Sequence, residues 1–211
     1  MIIILSSGVV FSGEGSTVNA KDARQRLLDG NKRYVGAQMT HPNQTSERRQ
    51  EVSNGQHPFA VVISCSDSRV PPEVLFDQGL GDIFVIRLAG NIVNDAALGS
   101  IEYAVEHLGV GYIMVLGHEK CGAVEATVKG GEAPGHIGAL TGAIQPAVDK
   151  AKGLSGDLVD NAVRINAIMV VRQLKTSAPI LEEKVKKGEL VIEGGRYDFD
   201  DGVVEMLRGD N

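Results

Sequence analysis

Three residues in this chain could do metal chemistry together. Cys65 follows the apolar run F-A-V-V-I-S and opens C-S-D-S-R, while His118 follows Y-I-M-V-L-G and stands three residues before Cys121 in H-E-K-C-G. Cys65 and Cys121 are the only cysteines. Two thiolates and an imidazole form a borderline-soft ligand set that suits zinc. Three protein ligands also leave a fourth tetrahedral position open, as catalytic zinc sites do. Cys121 lies about one helical turn past His118, so the two side chains can converge. H-x-x-C alone arises often by chance, but joined to C-x-D-x-R at the end of another strand it is a specific signal. A disulfide is the plain alternative for two cysteines. It gives no role to His118, Asp67 or Arg69.

Asp67 and Arg69 admit two readings. They form an ordinary ion pair at a strand end, or they form a switch. A carboxylate two residues from a metal ligand can close the fourth position, or turn to Arg69 and leave room for water. Two thiolates also cancel the formal charge of zinc, so its water should be less acidic than in a three-imidazole site, where the pKa is roughly 7. Activity is therefore expected to rise above neutral pH.

The elements that must position these residues follow from the apolar pattern. Residues 59–64, 83–89 and 112–116 are continuous apolar runs, the signature of parallel strands covered on both faces. Between the second and third lies a helix capped by Asn94 or Asp95, with Ala97, Ile101, Ala104, Val105 and Leu108 on one stripe and Gly109 at its end. This alternation predicts an α/β fold, a largely parallel central β-sheet flanked by helices. Functional groups in such sheets gather beyond the carboxyl ends of strands, where Cys65 and His118 fall. Ahead of the sheet, a helix from an Asn19 cap to about Tyr34 would bury Ala23, Leu27 and Leu28, and Ser46 would cap a charged helix ending near Gly55. Together they make an N-terminal helical arm over 19–55, packed on the main domain or on a second subunit. Residues 1–18 read as a flexible or apolar tail, and 56–211 as the zinc-binding α/β catalytic domain, arm and core forming one domain. Beyond Cys121 the pattern predicts a helix over 122–129, a Gly/Pro loop over 130–138 and helices over 142–152 and 157–175. The last of these carries Leu158, Ala162, Ile165 and Met169 on one face. A short helix after Pro179 and a final strand over 190–193 complete the reading.

Composition narrows the partners. With 43% hydrophobic residues in 211, the chain can build a core without disulfides. A net charge of −6 with scattered basic residues argues against nucleic acid and against an anionic membrane. No stretch approaches the ~20 apolar residues of a bilayer span. The first eleven residues are apolar but lack a basic start. A cytoplasmic location is expected, with the periplasm as the alternative if they are the remnant of an export signal.

C-S-D-S-R, F-D-Q-G-L-G-D-x-F-V-I-R-x-A-G-N, S-I-E-Y-A-V-E-H-L-G and G-H-E-K-C-G-A-V together resemble the β-class carbonic anhydrases, from the Asn19 helix to the Tyr197–Asp198 region. The resemblance implies Cys65, His118 and Cys121 as ligands of Zn2+, one per chain, and Asp67 with Arg69 as a catalytic dyad, Asp67 becoming a fourth ligand in a closed state. It implies reversible hydration of carbon dioxide to bicarbonate and a proton by zinc-bound hydroxide. Gln56, nine residues before Cys65, matches a glutamine that bonds substrate oxygen from the partner subunit. Phe84, Ala89 and Tyr103 match an apolar pocket wall, though taken alone they read as core, and the Gly122 N–H matches a donor to bound bicarbonate. A homodimer or dimer-based tetramer follows. Glu119 and Lys120 are expected to face solvent, and His41, His57, His107 and His136 lie off the ligand pattern. With no Trp in the chain, the bicarbonate regulation of one subgroup is not expected. Two other readings remain compatible: a hydrolase for carbonyl sulfide or carbon disulfide on the same fold, and a non-catalytic module whose structural zinc is closed by Asp67.

Overall fold

A computed structural model describes residues 18–208, so the tail expected over 1–18 lies outside the described residues except for Val18. Five strands form one sheet in the order β2-β1-β3-β4-β5. Strand β1 (Ala60–Ser64) pairs in parallel with β2 (Ile83–Arg87) and β3 (Tyr112–His118), β3 pairs in parallel with β4 (Val191–Tyr197), and β5 (Val204–Leu207) closes the sheet antiparallel to β4. The sheet is thus largely parallel, as the apolar runs predict. Every residue of β1 and β3 is buried, because helices cover both faces. Strand β2 is half-buried along its whole length, since no strand among the described residues pairs with its outer edge.

Alternate residues of β3 feed two cores. Tyr112 and Met114 cluster with Ala23 and Leu27 of α1 (Ala20–Val35). Ile113 and Val115 cluster with Ile101, Ala104 and Val105 of α4 (Asp95–Glu106), and with Ala167, Val170 and Val171 of α7 (Leu158–Lys175). The first helix therefore packs on its own chain's sheet. Its start is set by Asn19, whose side chain accepts the Asp22 N–H at 2.9 Å. Its middle is set by Gly30, where a Cβ would stand 1.7 Å from the Phe76 carbonyl oxygen. Asn31, buried in the next position, donates to the Leu75 and Gly202 carbonyls and accepts the Val204 N–H. Helix α2 (Ser46–Glu51) buries nothing. Its cap is Thr45 and not Ser46, because the Thr45 hydroxyl accepts the Arg48 N–H while Ser46 bonds Glu47.

The loop from α1 to α2 is organised by one buried carboxylate that lies just past α3 (Pro72–Leu75). Asp77 accepts the Arg33 Nε–H at 2.6 Å, the Thr40 N–H and hydroxyl at 3.0 Å, and the His41 N–H at 2.9 Å. Burial alone would push its pKa up. The Thr40 N–H, Arg33 and the remaining donors outweigh that and hold it at about 2.

Further along, helix α5 (Gly122–Lys129) matches its prediction, and α8 (Ile180–Lys186) follows Pro179. Helix α6 (Ile137–Ala151) starts earlier than predicted, because the I-G-A-L spacing continues the helix through glycines that read as breakers. On α7 the buried face is Ala162, Val163, Asn166, Ala167, Val170, Val171 and Leu174. Of the predicted stripe, Ala162 lies on this face, while Leu158, Ile165 and Met169 sit half-buried to one side of it. Leu28 and Leu108 are half-buried as well.

Candidate metal centre

Strands β1 and β3 are parallel neighbours, with Ser64 opposite Leu116, so their carboxyl ends deliver Cys65 and His118 side by side. His118 is the last residue of β3 and not one past it, since β3 runs two residues beyond the predicted end. Cys121 stands at the start of α5, where helix N–H groups favour a thiolate. The ligand atoms of these three residues lie within 4.8 Å of one another and all three residues are buried.

The donor set fits a cation. His118 Nδ1 lies 2.8 Å from the Glu119 carbonyl oxygen. A carbonyl can only accept, so Nδ1 carries the proton and Nε2 presents a lone pair. That Nε2 is buried without a hydrogen-bond partner, an arrangement that costs about 1–3 kcal/mol unless something else binds it. The sulfurs point the same way. The Cys121 thiol beside Cys65 overcomes burial and, with the adjacent His118 ring and the Asp67 and Gly90 N–H groups at 3.4 and 3.2 Å, brings the Cys65 pKa down to about 4. The same contact, with burial, pushes Cys121 up. The pair shares one proton, and a divalent cation in its place allows two thiolates.

Asp67 is beside this cluster but turned to Arg69. Arg69 Nε donates to Oδ1 at 2.9 Å, Nη2 donates to Oδ2 at 2.7 Å, and the Arg69 backbone N–H adds a third bond. Arg69 holds the Asp67 pKa at about 2 against its burial. Asp67 Oδ2 stays 3.9 Å from His118 Nε2.

Several residues without a predicted role shape the centre. Arg87, at the end of β2, donates to the Cys65 carbonyl at 2.8 Å and the Asp67 carbonyl at 2.6 Å, so it pins the loop that carries a ligand and the dyad carboxylate. A charged residue closing an apolar strand was the available signal. Gly90 has φ +70, and a Cβ there would meet Ile144 Cδ1 at 2.5 Å, so only glycine presents its N–H to Cys65 Sγ. Glu119 and Lys120 do more than face solvent: Glu119 Oε2 accepts the Phe199 N–H, and Lys120 pairs with Glu119 and Asp200.

The expected substrate residues divide. Gly122 begins α5 beside Cys121 and is exposed, and Ala89 is half-buried beside Gly90. Phe84 and Tyr103 pair at 6.5 Å between ring centroids, with Tyr103 47% exposed. Phe84 packs with the core on the α4 side, three residues before the end of β2 and about 10 Å short of it. Gln56 is exposed in the loop that leads into β1. The length of that strand, about 17 Å, separates it from Cys65. The chain therefore gathers Cys65, Asp67, Arg69, His118, Cys121 and Gly122, and does not carry Gln56 to its own cluster.

A family model described as "Carbonic anhydrase" matches residues 60–204. The chain is 41% identical over 192 residues to a carbonic anhydrase of Mycolicibacterium smegmatis, spanning 89% of this chain and 93% of that one. It is 40% identical over 190 residues to carbonic anhydrase 2 of Mycobacterium tuberculosis, spanning 87% and 91%. Among solved structures, the β-carbonic anhydrase CcaA aligns with a TM-score of 0.70 at 31% identity, over 88% of this chain and 95% of that one. The Coccomyxa β-carbonic anhydrase in complex with acetazolamide gives 0.71 at 30%, over 86% and 84%. Similarity this long, running through every residue of the cluster, places the chain in the β-class carbonic anhydrases, carbonate dehydratases of the lyase class.

Proposed function

We propose that this protein is a zinc enzyme that reversibly hydrates carbon dioxide to bicarbonate and a proton, with Asp67 and Arg69 as its dyad. The observation that carries the reading is the buried, partnerless His118 Nε2 facing two buried sulfurs. Cys65, Cys121 and His118 Nε2 would hold the ion, and this ligand set suits zinc. When bound, zinc supplies the Lewis acidity that activates water. Cys65 Sγ is oriented by two backbone N–H groups, and the His118 ring by the Glu119 carbonyl. Arg69 keeps the Asp67 carboxylate ionised and turned aside, where it accepts a hydrogen bond from water and orients it for attack. Its engagement by Arg69 weighs against a closed, purely structural site. The Gly122 N–H, free at the first turn of α5, is placed to donate to a bicarbonate oxygen.

Gln56, with the Phe84–Tyr103 pair, serves the cluster of a second copy in this reading, and Ala89 lines the same apolar wall. Support comes from the half-buried outer edge of β2, the strand of Phe84, since no other described strand pairs with that edge. One chain that shares this fold (TM-score 0.72, 24% identity) comes from a description of two tetrameric β-carbonic anhydrases of Sordaria macrospora. The deciding experiment is stopped-flow hydration of carbon dioxide by protein holding one zinc per chain, from mildly acidic to alkaline pH. Fast hydration that rises with pH upholds the reading. No hydration, with turnover of carbonyl sulfide instead, overturns it.

A further inference from the structure

Phe199 lies in the turn between β4 and β5, far in sequence from the cluster, and the structure sets its ring against two of the centre's residues. The Arg69 guanidinium carbon stands 4.4 Å over the ring centroid. The His118 ring meets Phe199 edge-on, 5.7 Å between centroids at 78°. The turn is fastened to the loop that carries the ligands. The Phe199 N–H donates to Glu119 Oε2 at 3.1 Å, the Glu119 N–H donates to the Tyr197 carbonyl at 2.9 Å, and Lys120 reaches Asp200 at 3.4 Å. Tyr197 packs edge-on against the Phe199 ring at 5.3 Å.

Arg69 has need of such a platform. Its side chain is 52% exposed, and an exposed ion pair does little in water to fix a long side chain. Beyond Asp67, its other hydrogen bond is to the Lys120 carbonyl at 3.2 Å. A planar guanidinium laid on an aromatic face is attracted by the ring and loses the freedom to swivel. We infer that Phe199 is a positioning residue, its ring face holding the Arg69 guanidinium so that two N–H groups stay on Asp67 and keep that carboxylate turned from the cluster. The inference rests on the dyad reading proposed above.

Phe199→Leu keeps the apolar bulk and removes the aromatic face, whereas Phe199→Tyr keeps the face. With zinc content unchanged, kcat and kcat/KM for hydration should fall together by about tenfold in Phe199→Leu and stay within about twofold in Phe199→Tyr. Phe199→Met stands in should the Leu variant not fold. A second readout does not depend on turnover: rotation about the Arg69 Nε–Cζ bond, followed by NMR of the guanidinium N–H groups and assigned by loss of the signal in Arg69→Lys. It should be slow in the wild type and Phe199→Tyr and fast in Phe199→Leu. Val170→Ala, which weakens the core on the other face, should lower thermal stability and leave both readouts unchanged. Equal losses in the Tyr and Leu variants, or slow Arg69 rotation in Phe199→Leu, would overturn the inference. A wild-type protein that binds zinc but hydrates no carbon dioxide sinks the functional reading alone, and the rotation comparison still decides the role of Phe199.

Discussion

His118 shows how much one tautomer can carry. The Glu119 carbonyl fixes the proton on Nδ1 and so aims a lone pair at the two sulfurs. Replacing the residue should remove the site while leaving β3 buried. His118→Ala is expected to lower zinc affinity by more than about a hundredfold, beyond the range typical of an outer-shell partner, as read by metal analysis after competition with a chelator. Asp77 makes a different prediction, about stability. Its folded pKa of about 2 lies below the ordinary 3.8, so the charged form is stabilised by folding. That contribution, about 2 kcal/mol, is complete above about pH 5 and is lost as pH falls through 3.8 toward 2. In urea unfolding, Asp77→Asn should be less stable than the wild type near neutral pH, and the gap should narrow toward about pH 3. A gap that widens on acidification would refute the assignment. The ligands were legible in the sequence because Cys and His are rare and sit at motif spacing. Arg87, Gly90 and Phe199 were not, since their roles come from backbone direction and from a turn more than 70 residues past the ligands.

Elements were legible where burial on both faces leaves an unbroken apolar run, as in β1 and β3. They were missed where close packing excludes side chains. Strand β4 continues through Gly194 and Gly195, past the end predicted at 193. In the structure a Cβ on Gly194 would meet Ile168 Cδ1 at 3.3 Å, and one on Gly195 would meet Val204 Cγ1 at 3.2 Å. With β4 cut short, β5 had no partner, and its four residues carry too weak a pattern to stand alone. The α7 stripe was only partly placed, with Ala162 alone fully buried, because apolar residues occur nearly all round that helix and periodicity alone does not choose among them. Helix α1 gives the sharpest prediction at this scale. A Cβ at Gly30 cannot coexist with the Phe76 carbonyl at 1.7 Å, so Gly30→Ala must push α1 away from the end of α3. The loss should exceed about 2 kcal/mol, although alanine is the better helix former by about 1 kcal/mol. Denaturant unfolding would show it, and a stabilised variant would contradict the packing.

In the proposed reading, the molecule as a whole places the parts of one reaction centre at opposite ends of a single strand. Gln56 precedes β1 and Cys65 follows it, which motivates pairing between copies across the exposed β2 edge. A mixing experiment tests this. Chains with Gln56→Ala keep the metal cluster, and chains with Cys65→Ser keep the glutamine. Mixed dimers should be more active than either parent, because one cluster in each regains its glutamine. Activity equal to the average of the parents would show that each chain works alone. If the centre is shared in this way, mass action enters the rate. Below the dissociation constant of the pair, specific activity falls with dilution and returns on concentration. Output then climbs more steeply than the amount of chain, so a twofold change in expression would be amplified in bicarbonate flux with no effector present.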